Sequence, residues 1–582
     1  MRFRVLRPVE RESLCVAAGS MAFALLFAWP ILGHLGQFGA FHDWEFNTEL
    51  HWVPYYTVLH YHQFPLWNPY KCGGMPMLGN PQSRVLTPFF LIHLLAGPVL
   101  GLQLEVILHL AIAWSGGYVL GRTLGLSYLG CVVCASVFPS NSWFFLHIGE
   151  GHVVLMAITY MPWVGALFCI AVNRKTLFPA ALAGLLIALT FWEGGLYVAV
   201  FCGVLIGSVG LTMAASRWSL WPLWSAATAV AFAGGFAAIK LLPALEVFRS
   251  YPRAAMGGET NPWSLIFVFL FSRNQDLLRN DLTSFGFFEY GAYISIAFAA
   301  LAVIGSVSYW RRSLPWTLSA LVLLLMARGD TGSHSIWMII RNVPFFAGML
   351  TAMRFPSRIL GAFALPISVL AGCGTDVLLK YLRTWGMWLS TVTLAIGLID
   401  SWLVGPPNLK LIFRDSTRQL PVSFQFRQMR ELGAKFNMTY VAMANMGALE
   451  CYEYTDITTN VVGFDEPGYR GEQYLVGLGS VQLKSWTPNA VTYEITALAP
   501  TVLIVNQNYD PGWRVAEGTG EVLSSNGVLG VAVPAGRQQI KLVYHSKSFD
   551  YGLGIGVLTL LAMGLAWLFD NRRSESPGSR TS

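Results

Sequence analysis

FHDWEFNTELHWVPYYTVLHYHQFPLWNPYKCGGMPMLGNPQSRVLTP, residues 41–88, decides how the chain is read. The stretch follows the first long apolar run, but it is too polar to be a second membrane span. It is also too interrupted, by Pro65, Pro69, Gly73, Gly74, Pro76, Gly79 and Pro81. Asp43 and Glu45 stand two residues apart at its start. An amphipathic pattern follows through Leu50, Val53, Val58 and Leu59, and the prolines and glycines then impose a rigid, non-helical path. A long loop rich in Trp, Tyr and Phe is expected to be functional and partly packed. The plainer alternative is a structural plug over helix ends.

Outward from this stretch, composition sets the class. With 54% hydrophobic and only 12% charged residues among 582, and a mean hydropathy of +0.51, an ordinary water-soluble globule is excluded. The expectation is a polytopic membrane protein. The net charge of +7 implies no nucleic acid, because basic residues gather at the cytoplasmic ends of spans whatever the function. Most cysteines fall in apolar runs, where a thiol is a small hydrophobe. Cys131 and Cys134 have CxxC spacing but lie within an expected span, which argues against redox or zinc chemistry.

Residues 1–13 carry Arg2, Arg4, Arg7 and Arg11 ahead of the apolar run Leu14–Leu32. No Ala-x-Ala site closes this run, so it reads as a retained anchor. Further spans are expected near 101–121, 128–146, 152–172, 176–192, 195–213, 219–245, 290–309, 314–328, 356–379, 385–404 and 551–569, about twelve in all. If the amino terminus is cytoplasmic, Arg122, Arg174, Lys175, Arg217, Arg311, Arg312, Lys380, Arg383, Arg572 and Arg573 all fall on the cytoplasmic side. Both termini are then cytoplasmic, and the 247–289 and 329–355 loops lie outside with the Asp43 loop. The expected organisation is a transmembrane domain over 1–404 with outer loop 34–87, an outer domain over 405–549, a final span over 550–570 and a cytoplasmic tail over 571–582. Within 405–549 a helical piece around Ser423–Phe436 precedes short alternating runs such as VTYEITA, TVLIVNQNY and QQIKLVYH, the pattern of a β-sandwich. Trp513 is expected to pack on that sandwich or against the bundle.

The outer arginines are the exceptions to the charge rule: Arg249, Arg253, Arg273, Arg279, Arg341, Arg354 and Arg358. Arg354 and Arg358, in MRFPSRIL, are spaced to share one face of a helix start at a span mouth. They read either as a phosphate-binding pair or as snorkelling interfacial cations, with Arg249 and Arg253 the next phosphate candidates. Glu193 and Glu246 interrupt apolar runs near their outer ends, and ionisable groups there are expected to line a cavity. Glu150, between His147 and His152 in a short glycine-rich outer turn, forms a cluster able to hold a divalent ion, although its order matches no known zinc-protease spacing. The loop from 249 to 290 is long enough to act as a lid.

HDWE, FPLWNPYKCGGMPMLGNPQ, EYGAY, MRFPSRIL, NQNYDPGWRV and VPAGRQQIKLVYH together resemble the YfhO family of bacterial membrane proteins, which belongs with the GT-C glycosyltransferases. The resemblance covers almost the whole chain. It implies a GT-C-like α-helical membrane domain in the bacterial cytoplasmic membrane. The activity implied is transfer of a sugar from a polyprenyl-phosphate donor to an outer glycan or envelope polymer. It also implies that the first outer loop carries an essential acid, which Asp43 matches, and that some relatives use an acid pair or a divalent metal ion. Glu45 stands in the place of the second acid. The residues fit this chemistry independently: inverting transfer needs a carboxylate to take the acceptor's proton and a cation to hold the departing phosphate. Glu45 would orient Asp43 or the acceptor, and Trp67 and Asn68 would line the cavity. The loop's Trp and Tyr rings read either as sugar-stacking faces or as an interfacial belt. The alternatives are a lipid-linked sugar flippase, for which no internal repeat is evident, and a non-catalytic envelope assembly factor.

Overall fold

The structure, a computed structural model, describes residues 8–251, 259–275, 285–343, 350, 353–415, 419–430, 437–450, 457 and 459–575. The expected lid lies partly outside these, and Arg253 and Arg279 lie outside them entirely.

Among the described residues, seven helical stretches are long and apolar enough to cross a membrane: Pro98–Thr123, Tyr128–Glu150, Val153–Arg174, Leu196–Arg217, Trp221–Ser250, Pro356–Phe413 and Lys547–Arg572. The chain is a multi-pass membrane protein, mostly helical. Spans expected at 176–192 and 290–309 are the shorter apolar helices Phe178–Trp192 and Ile296–Ser308. Pro8–Phe27 and Trp310–Ala327 are also helical, but the first carries Glu10, Arg11 and Glu12 and the second opens on Trp310, Arg311 and Arg312. The two spans expected at 356–379 and 385–404 run through one stretch, Leu360–Val404, broken at Arg383 where the backbone turns left-handed (φ 50°).

One end of the bundle gathers the basic clusters. Arg122 pairs with Glu12 at 2.8 Å, Arg312 donates to the Gly125 carbonyl at 3.0 Å, Arg217 donates to Asn173 at 3.1 Å, and Asp570 accepts from the Leu177 N–H at 2.8 Å. The residues of the quoted stretch lie at the other end. With the positive-inside rule, a cysteine introduced at exposed Ser480 is expected to react with an impermeant reagent in intact cells, while the exposed native Cys15 is protected. The reverse labelling pattern would invert the orientation.

The quoted stretch departs from its expected form. Asp43–Tyr61 is a 19-residue helix, here the outer helix, which tolerates Pro54. Beyond it, Trp67–Asn68 pairs with Met75–Pro76 in a small hairpin whose bend places Cys72, Gly73 and Gly74 at positive φ. Glycine is required at 74, where a Cβ would stand 2.7 Å from the Trp67 ring. Cys72 is disulfide-bonded, a state that belongs to an oxidising compartment. Buried Lys71 ties the hairpin back to the outer helix through Glu49 at 3.1 Å.

The 473–544 region forms eight strands: β1 (Gln473–Leu475), β2 (Gly479–Thr487), β3 (Ala490–Ala497), β4 (Thr501–Asn508), β5 (Trp513–Glu517), β6 (Glu521–Ser525), β7 (Val528–Val533) and β8 (Gly536–Tyr544). They build two antiparallel sheets, ordered β6-β7-β4-β1 and β2-β3-β8-β5. Alternate residues such as Val491, Tyr493 and Ile495, or Ile540, Leu542 and Tyr544, point into one apolar core shared with Leu503, Leu529 and Val531 of the facing sheet. Trp513 lies in this core, and so does Trp67, which meets the Tyr544 ring at 4.8 Å and donates its indole N–H to Gln507 at 3.1 Å. Trp67 is therefore a core residue of the β-domain, the plug by which the outer segment enters it. Asn68 is likewise structural, donating to Glu49 at 3.0 Å and accepting from the Tyr70 N–H at 3.0 Å. The helix expected over Ser423–Phe436 is replaced by the strand Arg427–Met429, parallel to Met446–Ala448; 431–436 lie outside the described residues.

Candidate active site

The outer helix begins at Asp43, where the helix dipole favours an anion. Its first turn is clamped onto the 147–152 turn. The Trp44 indole donates to the Ile148 carbonyl at 2.6 Å, and the Asn47 amide donates to the carbonyls of Asp43 and Gly151, each at 2.9 Å. Gly151 has φ +105°, and a Cβ there would collide with the backbone of Asp43 and Trp44, so only glycine lets the two segments meet.

This contact brings Asp43 Oδ2 to 3.4 Å from His152 Nε2. His152 Nε2 is also 4.0 Å from Glu289 Oε1, and its Nδ1 lies 3.0 Å from Nδ1 of buried His147. Glu289 takes a two-pronged hydrogen bond from Arg358, with Nε and Nη2 each 2.6 Å from a carboxylate oxygen. The Arg358 guanidinium sits 4.8 Å above the Tyr197 ring, and the Tyr197 hydroxyl accepts from the backbone N–H groups of Arg354 and Phe355. Asp43, His152, Glu289 and Arg358 thus form one polar row, in which Asp43 retains 18% side-chain exposure and is reachable. Burial alone would lower the His152 pKa, but the Glu289 and Asp43 carboxylates outweigh it and hold it above the ordinary histidine value.

Several expected site residues are placed otherwise. Glu45 does not accompany Asp43: two residues apart on a helix of 3.6 residues per turn, the two side chains point to opposite sides. Glu45 is buried against the Met438–Met443 helix, where its carboxylate accepts from the Thr439 N–H while the Thr439 hydroxyl donates to the Glu45 carbonyl at 2.7 Å. Burial pushes its carboxyl up to about 7, against the backbone N–H groups of Thr439 and Met438. A pKa raised on folding means that the native state takes up a proton. The stability gained is complete below the unfolded value and is lost as pH rises through about 7. Wild type is therefore expected to lose more thermal stability than Glu45→Gln between about pH 5 and pH 8, by at most about 3 kcal/mol. Parallel melting curves for the two proteins would place the titration elsewhere.

Glu150 binds His42 at 2.6 Å, which raises the His42 pKa, and is not among the ligand atoms that converge with His147 and His152. The ligand atoms that do converge, within 4.8 Å, are those of His147, His152 and Glu289. Arg354 and Arg358 do not share a helix face, because Pro356–Ile359 is a 3₁₀ turn and the helix starts at Leu360. Arg249 is exposed at the end of Trp221–Ser250.

Glu193 is fully buried, accepts from the Tyr160 hydroxyl at 2.6 Å and stands 3.5 Å from Arg84. Glu246 is exposed at the junction with the final helix, accepting from Ser548 at 2.7 Å in a recess shared with Asp510 and Tyr544. Sequence reasoning gave no role to His42, Glu289 or Tyr197, although HDWE and EYGAY contain the first two. Acidic character at the outer end of an apolar run was the signal available for Glu289.

No sequence family and no curated protein matches the chain. Among solved structures it is similar to the arabinofuranosyltransferase AftD from Mycobacteria, at 16% identity and a TM-score of 0.42 over 72% of this chain and 29% of that one. It is also similar to the Archaeoglobus fulgidus oligosaccharyltransferase, at 11% identity and a TM-score of 0.42 over 75% of this chain and 62% of that one. The chain spans less than two thirds of either protein.

Proposed function

We propose that the protein is a membrane glycosyltransferase that moves a sugar from a polyprenyl-phosphate carrier to a glycan or cell-envelope polymer at the outer face of a bacterial cytoplasmic membrane. One observation carries this reading: a reachable carboxylate, Asp43, held at a helix N-terminus 3.4 Å from His152 in a row that ends in Glu289 and Arg358. In the reaction Asp43 takes the proton of the acceptor hydroxyl as that oxygen bonds to the anomeric carbon. The bond from that carbon to the carrier phosphate breaks, and its electron pair leaves on the phosphate. Configuration inverts, and Asp43 ends protonated. His152, 3.4 Å from Asp43 and 4.0 Å from Glu289, fixes the Asp43 side chain.

Phosphate recognition is assigned to Arg354, whose Nε has no partner and whose backbone is fixed by Tyr197, whereas Arg358 is committed to Glu289. Arg354→Ala is expected to raise KM for the donor about tenfold or more, with partial rescue by Lys, which lacks the planar fork. An unchanged donor KM would move the phosphate site to Arg249 or beyond.

Two imidazoles and a carboxylate suit a divalent metal ion, and buried His147 Nε2 has no partner, so His147, His152 and Glu289 are the residues that would hold one. Such an ion, when bound, would offset negative charge on the departing phosphate.

The test is whether purified protein in detergent consumes a polyprenyl-phosphate sugar and releases the carrier phosphate when a glycan acceptor is present. A flippase has no two sides to work between in detergent and would leave the donor intact.

A further inference from the structure

The β-domain carries a cavity of about 590 Å³ apart from the Asp43 row. It opens where the edge strands of the two sheets, β1 and β2, meet the segment 422–427. Its aromatic wall is Phe426 stacked on Trp486, ring centres 4.8 Å apart and planes at 15°, while Phe424 at the rim is 98% exposed. Phe424 thus extends the apolar edge of the cavity beyond the stacked pair.

The polar lining narrows the ligand class. Arg427 is the one basic residue that lines the cavity, beside Glu472, whose carboxyl is pushed up to about 7 by burial, and a single arginine is a sparse site for a phosphate or nucleotide. The remaining polar groups are chiefly amides: Gln425, Gln473 and Gln507, which both donate and accept, and Asn506, whose amide is held by Val462 and Glu472. Gln507 accepts from Trp67 through Oε1, leaving its amide nitrogen to donate, and Arg427 Nε is buried without a partner. Flat apolar faces beside paired donors and acceptors match the alternating C–H faces and hydroxyls of sugar rings, and the density of polar groups disfavours an acyl chain.

Position adds a length requirement. Tyr61, the last residue of the outer helix, meets Trp486 edge-on at 5.9 Å, and Asp43 is the first residue of that helix. At 1.5 Å per residue the two are about 27 Å apart, farther than one sugar reaches.

We infer that this cavity binds an oligosaccharide, and that the chain it holds is the acceptor whose far end is presented to Asp43. The second half of this inference rests on the transferase reading; the first does not. The probe is an array of neutral and acidic bacterial-envelope oligosaccharides, from disaccharides to long chains, with inorganic phosphate as competitor, applied to the full-length protein in detergent. Wild type and Asp43→Asn are expected to retain the same long oligosaccharides, and the double variant Phe424→Ala, Gln425→Ala to bind them about tenfold or more weakly at an unchanged melting temperature. Retention of no glycan, equal retention by the double variant, or retention abolished by inorganic phosphate would overturn the site. Glycan retention without any sugar transfer would leave the site standing and remove the transferase reading. Transfer with an unchanged acceptor KM in the double variant would remove the acceptor role alone.

Discussion

Asp43→Asn protein, correctly folded and inserted, is expected to transfer sugar roughly 10² to 10⁴-fold more slowly than wild type, the usual loss when a positioned general base is removed. The substitution suits the question because asparagine keeps the shape of the side chain and its place at the head of the outer helix. The clamp around it uses backbone and neighbouring groups, the Asn47 amide on the Asp43 carbonyl and the Trp44 indole on Ile148, which the substitution leaves alone. Donor binding should therefore persist, and kcat should fall rather than donor KM rise. A second readout separates lost chemistry from lost structure. The Asp43 carboxylate helps hold the His152 pKa up, so in Asp43→Asn the His152 titration should move down, by NMR of labelled histidine, without disappearing. Near-normal turnover with saturating donor would end the assignment of Asp43 as base. Loss of turnover with an unmoved His152 titration would mean that the two side chains are not in contact.

The row containing Asp43 was only half legible in the sequence. Asp43 itself, the His147–His152 turn and Arg358 all carry local signals: a charge at the mouth of an apolar run, or a cluster within one short turn. Their pairing carries none, because Glu289 and Arg358 are 69 residues apart and meet only when the 285–295 segment packs against the start of the Leu360 helix. Glu45 was misread for a different reason. The prolines and glycines farther along suggested an irregular loop, in which neighbouring acids share a site. Asp43–Tyr61 is instead helical despite Pro54, and helical phase alone separates the two acids. Trp67 shows the same limit over a longer range: its flanking prolines marked a stiff segment, but its partners, Gln507, Trp513 and Tyr544, lie more than 400 residues away. The apolar spans and the alternating strands of the β-domain were legible because their periodicity is local.

Arg84→Met should be the most destabilising single substitution in the outer segment. Its guanidinium is buried, with Nη2 hydrogen-bonded to Glu105 Oε1 and 3.5 Å from Glu193 Oε2. His93 Nε2 lies 3.1 Å from Glu105, and His109 Nε2 lies 3.7 Å from Glu105 and 3.5 Å from Glu193. Lys240 ties in the backbone on either side of the segment, donating to the carbonyls of Pro81 at 2.7 Å and Ser83 at 2.6 Å and to those of Phe191 and Trp192 at 3.0 Å each. Two carboxylates, an arginine and two histidines thus meet where every side chain is buried, with Lys240 holding the backbone around them. Removing the arginine takes away the one permanent cation in contact with both carboxylates and leaves imidazoles alone beside them, at a cost of about 3–5 kcal/mol. That is a large share of the roughly 5–15 kcal/mol by which a domain is stable. The expected result is a large drop in melting temperature, with loss of the 65–90 segment's protection from proteolysis before the apolar spans are attacked. The cause can be separated from lost packing by removing the stranded charge as well. Arg84→Met combined with Glu105→Gln should recover at least half of the lost stability, since a neutral amide costs far less to bury than a carboxylate. Exposed Arg217, which donates to Asn173, is the control, and Arg217→Met should change stability by no more than about 0.5 kcal/mol. If Arg84→Met melts like wild type, the cluster is hydrated enough to carry its charges unaided. If the double variant is no better than the single, Arg84 holds the segment by shape rather than by charge.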